Sequence, residues 1–151
     1  MSSAVRRTAY VTWGALLVGP LVFAVIASQV GPTLRAPGEE PLAILAQLSL
    51  AFAFASVLGS RVLPRLLPLP PGLPPEQVAL TRNIVALALC ETSALFGLVA
   101  WMVTGSEWAV VAAAMGIAGV VSCFPGDARW RSLLPSEPGR GGPGGPPRMV
   151  R

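Results

Sequence analysis

An all-α integral membrane protein, folded as a four-helix bundle, is what this sequence predicts. The first reason is composition. Apolar residues make up 53% of the chain and charged ones only 12%, against roughly a quarter charged in a soluble domain. The second is how the charges are distributed. Residues 8–34, 41–60 and 108–126 hold no charge, and residues 83–106 hold one, Glu91. Such runs are on the scale of a hydrocarbon core about 30 Å thick at 1.5 Å per helical residue. The third is the placement of the eleven basic residues, all of them arginine. Arg6, Arg7, Arg61, Arg65, Arg82, Arg129, Arg131, Arg140, Arg148 and Arg151 fall on one side of the four runs, and Arg35 alone on the other.

Taken in order, residues 1–8 read as a short cytoplasmic N-terminus and 9–30 as the first span. The competing reading of this region is a secretory signal peptide. The run is longer than a signal's apolar stretch and holds Gly14 and Pro20, which favours a retained span. Residues 31–40, with Pro32, Pro37 and Gly38, read as an external loop. Residues 41–60 form the second span, with Pro41 suited to a first helical turn. Residues 61–82 are a proline-rich cytoplasmic loop and the start of the third helix. Each proline removes a backbone donor and crowds the preceding turn, so regular helix is not expected over 61–75. Residues 83–104 are the third span, 105–107 an external turn, and 108–124 the fourth span. Residues 125–151 read as a disordered cytoplasmic tail of Arg, Gly and Pro with little to bury.

The arginine asymmetry predicts both termini on the cytoplasmic side of a bacterial-type inner membrane. Tyr10, Trp13, Trp101 and Trp108 fall near the expected interfaces, where amphipathic rings concentrate. A faint match of Ala15-Leu16 and Phe23 with Ala88-Leu89 and Phe96 at one offset makes two tandem hairpins an alternative organisation. In that alignment Val18 stands opposite Glu91.

Lipid provides no hydrophobic drive for helix association, so small residues that permit close approach become the packing candidates. Span three carries Ala86, Cys90, Ser93, Gly97, Ala100 and Thr104 at alternating spacings of four and three. Span four carries Ala112, Gly116, Gly119 and Cys123, and span two Ala46, Ser49, Ala53, Ser56 and Ser60. Span one has a weaker set, Thr12, Ala15 and Gly19. The short turn at 105–107 predicts an antiparallel hairpin of spans three and four along their stripes. Self-association through such faces, or a membrane protein partner, is also expected.

Glu91 is the one carboxylate inside an apolar run. It lies on the order of 10 Å below the cytoplasmic face at 1.5 Å per residue. An ionised carboxylate there costs roughly 2.5 kcal/mol or more. A protonated one can donate to a carbonyl or hydroxyl on a neighbouring helix. Two roles follow: a group that binds and releases H⁺ or Na⁺, or a buried polar contact in the bundle. Ala88-Leu89-Cys90-Glu91 followed by Leu95-Phe96-Gly97-Leu98-Val99-Ala100 resembles the ion-binding helix of the rotary ATPase proteolipid, subunit c. That resemblance implies an ion carrier at Glu91 with Cys90 and Thr92 as neighbours. It is confined to residues 88–100; the family's glycine-repeat helix and short polar loop have no counterpart here. The chain as a whole also looks like four-span bacterial membrane proteins with a glutamate in span three.

Other chemistry finds no support. There is no His, hence no imidazole ligand or shuttle. Cys90 and Cys123 lie in different spans and read as small packing residues, with neither a disulfide nor a metal site expected. No nucleophile elbow, phosphate loop or paired carboxylates occur. The arginines lie beside apolar runs, which points to topology rather than nucleic acid. The expectation is therefore a non-enzymatic, cofactor-free structural or accessory membrane component, with a proteolipid-like ion carrier as the alternative.

Overall fold

Helix follows helix along this chain. The computed structural model describes residues 3–34, 42–70 and 72–134. It contains α1 (Ser3–Leu34), α2 (Leu42–Leu66), α3 (Pro75–Thr104), α4 (Glu107–Ser122) and α5 (Asp127–Leu133), with no strand among the described residues. Three of these, α1, α2 and α3, are long and apolar enough to cross a membrane. The fourth candidate is the pair α4 and α5, which meets the same test only jointly and is bent by 89°. Residues 35–40 of the expected external loop, Pro41 at the expected start of the second span, and 135–151 of the expected tail lie outside the described residues.

The helix ends follow local chemistry. α3 opens on Pro75, whose missing N–H falls where the first turn has no acceptor to offer, and carries Glu76 in that turn. It closes on Gly105, at φ 67°, with its N–H bonded to the Trp101 carbonyl at 2.8 Å. Only glycine takes that left-handed conformation without a Cβ penalty. The Ser106 N–H then bonds Thr104 Oγ1 at 3.0 Å, and α4 begins at once.

Three boundaries differ from the sequence reading. α1 begins at Ser3 and runs to Leu34, so residues 31–34 are helix rather than loop. α2 continues six residues past Ser60, through Pro64. A proline in the last turn removes a single bond, the one to the carbonyl four residues back, and the helix ends two residues later. Pro64 is moreover fully buried. Residues 127–133, assigned to the tail, form α5. Its Trp130 and Leu133 are buried against Ala9 of α1 and Ala79 of α3, and burying an indole and a leucine offsets the cost of ordering a short helix.

α3 is the central helix and packs against α1, α2 and α4. The contact with α4 runs along facing small residues. A Cβ on Gly97 would lie 2.5 Å from the Ala113 nitrogen, and one on Gly116 would lie 2.6 Å from the Ala94 Cα. The two backbones are thus close enough to exclude any side chain between them at these points. Ala100, Ala109 and Ala46 form a shared core cluster of α3, α4 and α2. The α2 set Ala46, Ser49, Ala53, Ser56 and Ser60 is buried throughout. So are Cys90, Ser93, Gly97, Ala100, Ala112, Gly116 and Gly119. These faces are therefore occupied within one chain.

α1 uses a different face from the one its small residues suggested. Ala15 and Gly19 are exposed and Thr12 is half-buried, whereas Ala9, Pro20, Ala27 and Gly31 are buried. Trp13, Leu16 and Leu17 pack onto the cluster of Ala86, Leu87, Cys90, Val120 and Cys123. Trp13 also donates its indole N–H to the Val120 carbonyl at 3.0 Å. Its ring meets Phe124 edge-on, with centroids 5.1 Å apart. Large side chains thus fill the gap at Trp13, Leu16 and Leu17, while toward the other end of α1 the small Ala27 and Gly31 are buried, a Cβ on Gly31 lying 3.4 Å from Met102 Cα.

The described arginines gather at one end. Arg6 pairs with Asp127 at 3.0 Å, and Arg82 donates to the Leu133 carbonyl at 3.0 Å. Arg61 lines one groove with Gly119 and Ser122, and Arg129 Nη2 lies 3.5 Å from Cys123 Sγ. The N-terminus of α1, the C-terminal turns of α2, the first turns of α3 and all of α5 thus share that end.

Candidate functional site

Glu91 sits midway along α3 on the side facing α1. Its Oε1 lies 3.3 Å from the point a Cβ on Gly19 would occupy. The carboxylate therefore lies over the bare backbone of α1, at a residue whose lack of a side chain leaves room for it. Glu91 is half-buried and has no hydrogen-bond or ion-pair partner among the described residues. Pro20 follows Gly19 and brings no N–H. The carbonyl of Leu16, which an N–H at position 20 would otherwise engage, is left one turn earlier on the same helix.

The two other residues of the expected ion site point elsewhere. Successive helical residues are about 100° apart around the axis, so Cys90, Glu91 and Thr92 cannot converge. Cys90 is fully buried toward α4, where a Cβ on Gly119 would come within 2.7 Å of its Sγ. Thr92 is exposed and donates to the Ala88 carbonyl of its own helix at 2.8 Å. It lines an apolar groove with Phe52 and Phe96, whose rings meet edge-on at 5.6 Å. The site that does form is Glu91 against the Gly19–Pro20 backbone, and neither Cys90 nor Thr92 contributes to it.

The helix-packing candidates come together as described above: Gly97 with Ala109 and Ala113, Gly116 with Ala94, and Gly119 with Cys90. Ser93 is buried in this contact with its hydroxyl unpartnered among the described residues. The same is true of both amide atoms of Asn83 and of Nε in Arg82 and Arg129. These orphaned groups, apart from Ser93, fall toward the Arg-rich end of the molecule.

One arrangement was not anticipated. Cys90 in α3 and Cys123 at the C-cap of α4 pack in one cluster, both free and both buried. Arg129 extends Nη2 to within 3.5 Å of Cys123 Sγ. The signal in the sequence was present in the stripes: Cys90 lies on the α3 face and Cys123 on the α4 face that pack together. Reading it required the axial register of the hairpin. Among the described residues no group of three or more His, Cys, Asp or Glu gathers as a metal site. No family model, no curated protein and no solved structure matches this chain.

Proposed function

We propose that this chain is an integral protein of a bacterial-type cytoplasmic membrane, with N- and C-termini inside. It acts as a structural or accessory component of a membrane assembly and catalyses no reaction. The observation that carries the membrane assignment is how little of the apolar helices is covered. Only 11% of the most apolar window of α1 is buried, and Val11, Val18, Leu21, Val22, Val25 and Ile26 face outward around it. An uninterrupted apolar surface of that length needs lipid or a protein partner to cover it. α4 returns alongside α3 from a two-residue turn. Its sixteen residues cover only about 24 Å at 1.5 Å per residue. In the four-span reading the corner at 123–126 therefore lies near the headgroups, and α5 runs across the surface with its arginines beside anionic lipid. Because the small-residue stripes are occupied internally, partners or further copies meet the outer faces of α1 and α2.

The test of the membrane assignment is alkaline extraction together with reporter fusions after residues 34, 66, 104 and 134. Retention in the membrane, with inside signals after 66 and 134 and outside signals after 34 and 104, is the expected result. Release by alkali, or an outside signal after 134, refutes the arrangement.

A second reading has one specific observation behind it: an unpaired carboxylate lying against Gly19, next to Pro20, in the neighbouring helix. In this reading, the proteolipid-like alternative, Glu91 carries H⁺ or Na⁺, and its protonated form donates to the carbonyl that Pro20 leaves without a backbone donor. Carbodiimide attacks protonated carboxyls in apolar surroundings. Selective labelling of Glu91 near neutral pH, suppressed by Na⁺ or by raised pH and absent in Glu91→Gln, is the expected result for a carrier. Flux across proteoliposomes should then be lost in Glu91→Gln while the fold is kept. An unlabelled Glu91, with Glu91→Gln indistinguishable in flux, leaves the structural role.

A further inference from the structure

The pair of thiols at the α3–α4 contact is independent of Glu91 and of the reading above. Cys90 and Cys123 are both fully buried and both free. Ser60 of α2 adjoins Cys90, and the Arg129 guanidinium reaches Cys123 from α5 at 3.5 Å. The two thiols share one buried cluster with Ala86, Leu87 and Val120, and among the described residues no carboxylate gathers with them. Among the described residues no third His, Cys, Asp or Glu joins these two soft donors, a set that does not suit the usual metals of proteins. Zinc sites are completed by four ligands, and Ca²⁺ and Mg²⁺ require oxygen. Thiolates select soft closed-shell cations, and Cu(I) among the biological ones. Such a cation is satisfied by two sulfurs.

Charge supports the same conclusion. Two thiolates and one monovalent cation carry a net charge of minus one, which is costly to bury alone. The guanidinium of Arg129 brings the total to zero. Its Nε is buried with no partner among the described residues, so a donor stands unused beside the sulfurs. A groove also lies on the far side of Gly119 from Cys90. A groove of about 250 Å³ between α2 and α4 is lined by Val57, Arg61, Met115, Gly119 and Ser122. Gly119 separates it from Cys90: a Cβ there would lie 2.7 Å from the sulfur and 3.6 Å from Val57 Cγ2. The missing side chain leaves only the Gly119 backbone between groove and thiol, and the Met115 thioether lines the same groove.

We propose that Cys90 and Cys123 form a two-coordinate bis-thiolate site for a soft monovalent cation of the Cu(I) or Ag(I) class, with the half-buried Arg129 as its counter-charge. Binding forms two metal–sulfur bonds and releases two thiol protons to solvent, with no change of oxidation state.

The full chain, purified under reductant, is titrated with Cu(I) against a chromophoric chelator. One Cu(I) per chain is expected, with a sulfur-to-metal charge-transfer band in the ultraviolet. Cys90→Ser and Cys123→Ser should each abolish the band, while their helical circular dichroism stays that of the parent. Arg129→Gln should weaken binding by about 10–100-fold, the usual effect of removing an outer-shell group, and Arg129→Lys should restore most of it. The proposal is overturned if stoichiometry persists in the double serine variant or if the parent, with both thiols titrating as free, fails to compete with the chelator. It is equally overturned if the freshly purified pair proves to be a disulfide.

Discussion

The α3–α4 contact predicts opposite outcomes for two glycine-to-alanine changes of identical chemistry. At Gly116 a Cβ would lie 2.6 Å from Ala94 Cα and 2.9 Å from Ala94 Cβ. Ordinary carbon–carbon contact begins at about 3.5 Å, so the two helix axes must separate by close to 1 Å. The obstacle is backbone and a methyl, neither of which can rotate away. Overpacking of this kind costs about 1–3 kcal/mol, and the rigidity of the obstacle places Gly116→Ala toward the upper end. At about 1.4 kcal/mol per tenfold, a cost of about 2.5 kcal/mol is a drop of roughly seventyfold in the folding constant. Gly14 is also helical, but nothing lies within 4 Å of its Cβ position. There the change only removes glycine's conformational freedom in the unfolded chain, worth about 0.5–1 kcal/mol of stabilisation. The assay is reversible unfolding in mixed dodecylmaltoside and dodecyl sulfate micelles, followed by the fluorescence of Trp13, Trp101, Trp108 and Trp130. Gly97→Ala should behave like Gly116→Ala. The double variant should cost less than the sum, because one separation of the helices relieves both clashes. A neutral or stabilising Gly116→Ala would refute the close backbone approach on which the hairpin rests.

Two further outcomes follow from contacts outside that hairpin. Trp13→Phe keeps the ring contact with Phe124 but removes the indole donor to the Val120 carbonyl; a loss of about 1 kcal/mol in the same unfolding assay is expected. Trp130→Ala should release α5 without unfolding the longer helices. Trypsin cleavage at Arg129 and Arg131 should then accelerate while the main unfolding midpoint stays close to the parent's, and coupled loss of both would show α5 to be part of the central core.

Local patterns were legible where local physics decides them. The four low-charge runs mark α1 to α4, because an apolar run of this length favours continuous helix. The stripes on α2, α3 and α4 are buried because a period of 3.6 residues puts such residues on one face regardless of what they meet. Gly105 was readable as a turn, because a left-handed residue between two short-linked helices calls for glycine. The helical stretch through Pro64 was not, since rules for proline within a helix overstate its cost in a last turn where one bond is lost. α5 was missed because seven residues carry no periodic signal, and only the surface of Ala9 and Ala79 gives Trp130 and Leu133 somewhere to be buried.

What the sequence determined by itself, then, is an all-helical chain with apolar runs, a basic end and faces prepared for close contact. The tertiary structure decided which faces meet. The seating of α1 on Trp13, Leu16 and Leu17, the placement of Glu91 over Gly19, and the meeting of Cys90 with Cys123 beside Arg129 all depend on the rotation and axial register of helices distant in sequence. Periodicity is a property of one helix and can be read along it. Register is a property of two, set by how their side chains interlock, and appears only once the chain has folded.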